Sequence, residues 1–127
     1  MTQPGQSLIL LIGNDSALEY LLRRYARESG CEIQTMRETG PELDWRALRP
    51  VAVWFSSLDV LAGLQPLRAA IANETIPVVV CSTVADDARA MELGADYFFL
   101  HPLTYDYFLM ALAGTKAKNK VQIKNII

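Results

Sequence analysis

The sequence predicts one α/β domain of the flavodoxin-like (βα)5 kind, a parallel five-stranded sheet in the order 2-1-3-4-5 with helices on both faces. Three observations carry that expectation. The apolar runs Leu8 to Ile12, Val51 to Phe55 and Val78 to Cys81 do not alternate with polar residues, as suits strands covered on both faces. Each run is followed by a polar break and a helical pattern, and alternating strands and helices force parallel pairing through right-handed crossovers. In contrast, Cys31-Glu32-Ile33-Gln34-Thr35 does alternate and the fifth strand is rich in aromatics, which marks these two as the edges.

Taken in order, the first strand ends at Gly13-Asn14-Asp15, and a helix opens at Ser16, where Ser16 and Glu19 have capping-box spacing. Leu18, Leu21, Leu22 and Tyr25 fall on one face of that helix, and Gly30 ends it. After the alternating strand, Pro41 introduces a second helix, Glu42 to Leu48, with Trp45 and Leu48 inward. Pro50 leads into the third strand, and a third helix is expected from about Val60 to Ala72. The fourth strand follows Pro77. A helix from Ala85 to Leu93 comes next, with Asp86 and Asp87 at its dipole-favoured start. The fifth strand ends at His101-Pro102, and Thr104 caps the last helix. Trp45 and Trp54 read as core.

A chain of 127 residues with 51% apolar content is long enough for one domain with a substantial core. Its apolar runs fall far short of the ~20 residues that span a bilayer. No signal-peptide pattern precedes them, so a cytoplasmic protein without membrane contact is expected. The net charge is −2, and all four lysines, Lys116, Lys118, Lys120 and Lys124, lie in the last twelve residues, which hold no acid. A tail at +4 leaves the body at −6, which argues against nucleic-acid binding by the domain. We therefore divide the chain into a domain, 1–115, and a basic tail or linker, 116–127, in which Val121-Gln122-Ile123 alternates as a short strand would. An effector domain is expected after residue 115. Cys31 and Cys81 would lie three strand spacings apart, roughly 14 Å. A disulfide needs Cα atoms within ~7 Å, so both are expected to be buried thiols.

The stretch from Pro77 to Pro102 places a candidate site. Ser82 and His101 are polar residues at the carboxyl ends of two strands, and open α/β sheets bind ligands in the crevice beyond such ends. The sequences Pro77-Val78-Val79-Val80-Cys81-Ser82, Ala90-Met91-Glu92-Leu93-Gly94-Ala95-Asp96 and His101-Pro102-Leu103 make the chain, from about Leu8 to Ala113, resemble a response-regulator receiver domain of bacterial two-component signalling. The resemblance implies a site with an acidic pair after strand 1 and an acceptor aspartate after strand 3, which together hold Mg²⁺. A hydroxyl after strand 4 and a lysine after strand 5 complete it. Here the acidic pair falls on Gly13 and Asn14 with only Asp15 beyond, the acceptor on Ser56 and the lysine on His101. Ser82 and Phe98, at the family's aromatic switch position, are kept. The resemblance also implies a cis His101-Pro102 bond.

Mg²⁺ requires several hard oxygen ligands, and phosphoryl transfer depends on its charge. One carboxylate is too few, so a degenerate receiver without metal, cofactor or enzymatic activity is expected. Ser56, His101 and Asp15 have the chemistry of a hydrolase triad, but no Gly-x-Ser-x-Gly turn surrounds Ser56. As structural residues, Ser56 and Ser82 would simply hydrogen-bond strand ends, and His101 would fill space or sense pH. The expected function is interaction with a partner protein or with itself, as a homodimer, in a signalling or transcription-regulatory protein. A small-ligand site in the crevice at Gly13, Ser56 and Ser82 is the alternative. The resemblance puts the interaction face on the helix before strand 5, on strand 5 and on the last helix. Ala90, Leu93, Asp106, Tyr107, Met110 and Ala111 are expected outside there, with Tyr105, Phe108, Leu109 and Leu112 toward the sheet.

Overall fold

The computed structural model describes residues 7–37 and 45–117. Eleven elements follow in chain order: β1 (Ser7–Ile12), α1 (Ser16–Ser29), β2 (Cys31–Met36), α2 (Trp45–Leu48), β3 (Ala52–Phe55), α3 (Leu58–Gly63), α4 (Gln65–Asn73), β4 (Val78–Ser82), α5 (Asp87–Glu92), β5 (Tyr97–Leu100) and α6 (Tyr105–Ala117). The strands form one sheet in the order β2-β1-β3-β4-β5, and every pairing is parallel. Class, order and edges are those expected.

The central strands do not alternate because successive side chains enter two different apolar layers. From β3, Trp54 joins Ile9, Leu11, Val79 and Phe99 beneath α1 and α6. Val53 and Phe55 join Leu10, Ile12, Val80 and Phe98 beneath α3, α4 and α5. Trp45 also lies in this second layer, so both tryptophans are core. Cys31 and Cys81 are free and buried. The His101-Pro102 bond is cis, as expected. Among the described residues, no helix is long and apolar enough to cross a membrane.

Several expectations are corrected. Asp15, not Ser16, is the N-cap of α1: its backbone is extended, and its side chain accepts the Leu18 N–H at 3.0 Å. Asn14-Asp15-Ser16 offers three cap formers in a row, and the carboxylate takes the position. Glu19 is engaged by Arg23 at 2.9 Å. The single helix expected from Val60 to Ala72 is two helices, interrupted at Leu64, whose φ/ψ of −125/40 is not helical. Pro66 explains the break, because a proline has no N–H to donate and is accommodated only in a first turn. Ser57 caps α3 by accepting the Val60 N–H at 3.1 Å. Asp86 caps α5 and Thr104 caps α6, both at the expected helix starts.

On α6, Phe108 is buried and Tyr105 and Leu112 are half-buried as expected, but Leu109 and Ala111 exchange places. Leu109 is 37% exposed and Ala111 only 1%. The cause is aromatic. Tyr107 stacks on Phe99 with ring centroids 5.1 Å apart, and Tyr97 lies where a side chain at Gly114 would be, so the helix is turned toward β5. Ala90 is likewise buried, on the sheet-facing side of α5, and Met91 is exposed beside it. Ala90 and Ala111 therefore leave the expected interaction face, whereas Leu93, Tyr107 and Met110 are half-buried and Asp106 is exposed. Helix α6 runs past the boundary expected at residue 115. Pro41, the first turn of the second expected helix and residues 118–127 lie outside the described residues.

Candidate functional site

The carboxyl ends of β1, β3, β4 and β5 open on one crevice of about 210 Å³. Asp15, Ser56, Ser82 and His101 line it together. Gly13 and Asn14 do not. Gly13 has φ +123, a backbone that side-chain-bearing residues avoid, and a Cβ there would strike the Ser56 hydroxyl and come within 2.8 Å of its Cβ. Ser56 is 6% exposed, and its N–H donates to Ile12 O at 3.0 Å, which fixes it beside the end of β1. The Ser56 side chain thus fills the space that a side chain at position 13 would need.

Apart from His101 Nε2, the polar groups of the strand ends are engaged locally. One Asp15 oxygen caps α1, and the other lies 3.7 Å from His101 Nε2. That distance is too long for a hydrogen bond, and His101 Nε2 is buried without a hydrogen-bond partner. The backbone N–H of His101 donates to Ser82 O at 2.9 Å. The Ser82 hydroxyl is bracketed by one residue: it donates to Val84 O at 3.1 Å and accepts from Val84 N–H at 2.9 Å. Beneath it, burial and the nearby Asp15 charge push the Cys81 thiol up to about 12, so it stays protonated and unreactive. Phe98 is 1% exposed and packs in the layer under α3, α4 and α5.

Asp59, Thr83 and Arg89 also line the crevice, and sequence reasoning missed all three. Arg89 bridges to Asp59 at 3.3 Å across the rim. All three lie just past strand ends, in a loop or a first helical turn, and that position is the only signal that would have found them. Among the described residues, no group of three or more His, Cys, Asp or Glu side chains is placed to hold a metal ion.

No protein-family model matches the sequence, and no curated protein matches it. Solved structures do. Chemotaxis protein CheY4 of Vibrio cholerae superposes with a TM-score of 0.71 at 12% identity, over 87% of this chain and 99% of that one. The chain has the receiver-domain fold. NtrX from Brucella abortus, solved with ADP, matches at TM-score 0.70 and 21% identity, over 89% of this chain and 28% of that longer one. The HemR receiver domain from Leptospira biflexa matches at 0.62 and 20%, over 87% and 94%. In this version of the receiver fold, the crevice is lined by the hydroxyls of Ser56, Ser57, Ser82 and Thr83 together with the carboxylates of Asp15, Asp59 and Asp86.

Proposed function

We propose that this domain is a receiver-fold regulatory module that takes no phosphoryl group and acts by protein-protein contact, with a partner or a second copy, in a signalling or transcription-regulatory protein. The observation that carries the reading is the interlock of Gly13 and Ser56. The position where the receiver resemblance puts the acceptor carboxylate holds a serine, and that serine occupies the space of the acidic pair's first member. Of the three carboxylates in the crevice, Asp15 and Asp86 cap helices and Asp59 pairs with Arg89, and among the described residues no three such groups are placed to hold a metal together. A metal that must neutralise phosphate charge has too few oxygen ligands here. The Ser82 hydroxyl, which the resemblance assigns to the phosphoryl group, is held by Val84. The reading requires no cofactor and no catalytic step.

A small-molecule role for the crevice has less support. At about 210 Å³, it is smaller than the ~300 Å³ and above of typical ligand pockets, and its polar lining differs from their largely apolar walls.

The test is incubation with acetyl phosphate and Mg²⁺, followed by intact-mass measurement and a melting curve with beryllofluoride. No added phosphoryl mass and no shift in Tm are expected. An acid-labile acyl phosphate overturns the reading.

A further inference from the structure

The two edges of the sheet are treated differently, and one side chain makes the difference at β2. Met36 O accepts the Gly13 N–H at 3.0 Å, so the carbonyl of Met36 points inward to β1. In a parallel strand, the N–H and C=O of one residue point to the same side, and the side alternates along the chain. Ile33, three residues earlier, therefore turns its carbonyl outward, where an added strand would pair. That carbonyl is already taken: Arg23 Nη1 donates to Ile33 O at 3.1 Å. The same guanidinium donates through Nε to Glu19 at 2.9 Å, one turn back on α1, which sets its direction. Thr35 also points outward, and the Gln34 amide reaches its carbonyl at 3.4 Å.

We infer that Arg23 is an edge guard that keeps β2 from pairing with β2 of a second copy. An open edge strand of six residues is a ready template for such pairing, and a charged side chain laid over it is a recognised means of blocking one. The geometry needs arginine in particular. A rigid planar fork can hold Glu19 with one nitrogen and Ile33 O with another, whereas a lysine has a single ammonium for both. The guard leaves the opposite side of the molecule, around β5, free to associate.

The test compares wild type, Arg23→Ala and Arg23→Lys by sedimentation, with hydrogen exchange of the β2 amides in each. Arg23 is half exposed, so both variants are expected to fold. Arg23→Ala should lower the self-association Kd by about tenfold, on the scale of one recovered hydrogen bond. The Ile33 and Thr35 amides should become protected in the associated form, and Arg23→Lys should fall between the two. Unchanged association overturns the inference. So does increased association with protection at β5 or α6 and none at β2, which would place the contact elsewhere.

Discussion

Substituting alanine for Gly13 imposes two separate costs, a side chain at φ +123 and a clash with Ser56. Each is worth about 1–3 kcal/mol, so Gly13→Ala should lose about 2–6 kcal/mol in urea denaturation. Adding Ser56→Gly removes the clash but not the backbone strain, and the double variant should recover part of the loss. A cycle that is simply additive would show that the two residues do not share the space. At the far end of the sheet, Asp96 accepts the Val78 N–H at 2.8 Å. Burial raises its pKa against the opposing effects of that bond and of Arg68. The folded state then holds the proton more tightly than the unfolded chain does. This group's contribution is therefore most favourable below the unfolded carboxylate value of ~3.9, and it is lost as pH rises through the higher folded value. Asp96→Asn keeps an oxygen acceptor and removes the titration, so relative to wild type it should be more stable at neutral pH than at pH ~3. Equal pH profiles would show that Asp96 does not carry this slope. At this scale the sequence showed which polar residues end the strands. It did not show that Gly13 and Ser56 compete for one volume, because that contact depends on the register of β1 with β3.

Elements were legible in proportion to how strongly one physical pattern governed each. The strands were the clearest, since residues feeding two apolar layers must be apolar without alternation, and β3 does this with Val53, Trp54 and Phe55. Helix α1 was equally plain, with Leu18, Leu22 and Ala26 buried along one stripe. The segment from Leu58 to Asn73 was not, because apolar spacing runs through Leu64 while Pro66 interrupts the hydrogen-bond ladder. Helix α6 failed for another reason. Apolar residues surround nearly its whole circumference, so periodicity gives it no rotational phase. The stacking of Tyr107 on Phe99 and the fit of Tyr97 at Gly114 set that phase instead, and both are contacts between distant parts of the chain. The lining residues Asp59, Thr83 and Arg89 were hidden for the same reason, since only the fold brings them to one crevice.

For the molecule as a whole, the contact proposed above is assigned to the β5 side on the apolar groups exposed there. Leu100 is 37% exposed and Met91 56% on the α5 side of β5, and half-buried Tyr107 and Met110 flank its α6 side. The β2 edge, by contrast, carries Arg23 over its carbonyl. Exposed apolar groups with aromatic and methionine character, gathered on one side, are typical of protein interfaces. Tyr107 is unsuitable as a probe, because its ring stacks on Phe99 and its loss would damage the core. Leu100 and Met110 can be changed with less cost. We expect Leu100→Glu with Met110→Lys to weaken association, seen by sedimentation, by at least ~100-fold, since charges placed in an apolar contact must be desolvated without partners. The melting temperature should remain within a few degrees of wild type. Tyr20→Ser serves as the control: Tyr20 is 65% exposed on α1, away from β5, and its loss should leave association unchanged. If the double variant associates as wild type does while Tyr20→Ser does not, contact runs through α1, and the β5 side is only a solvated edge.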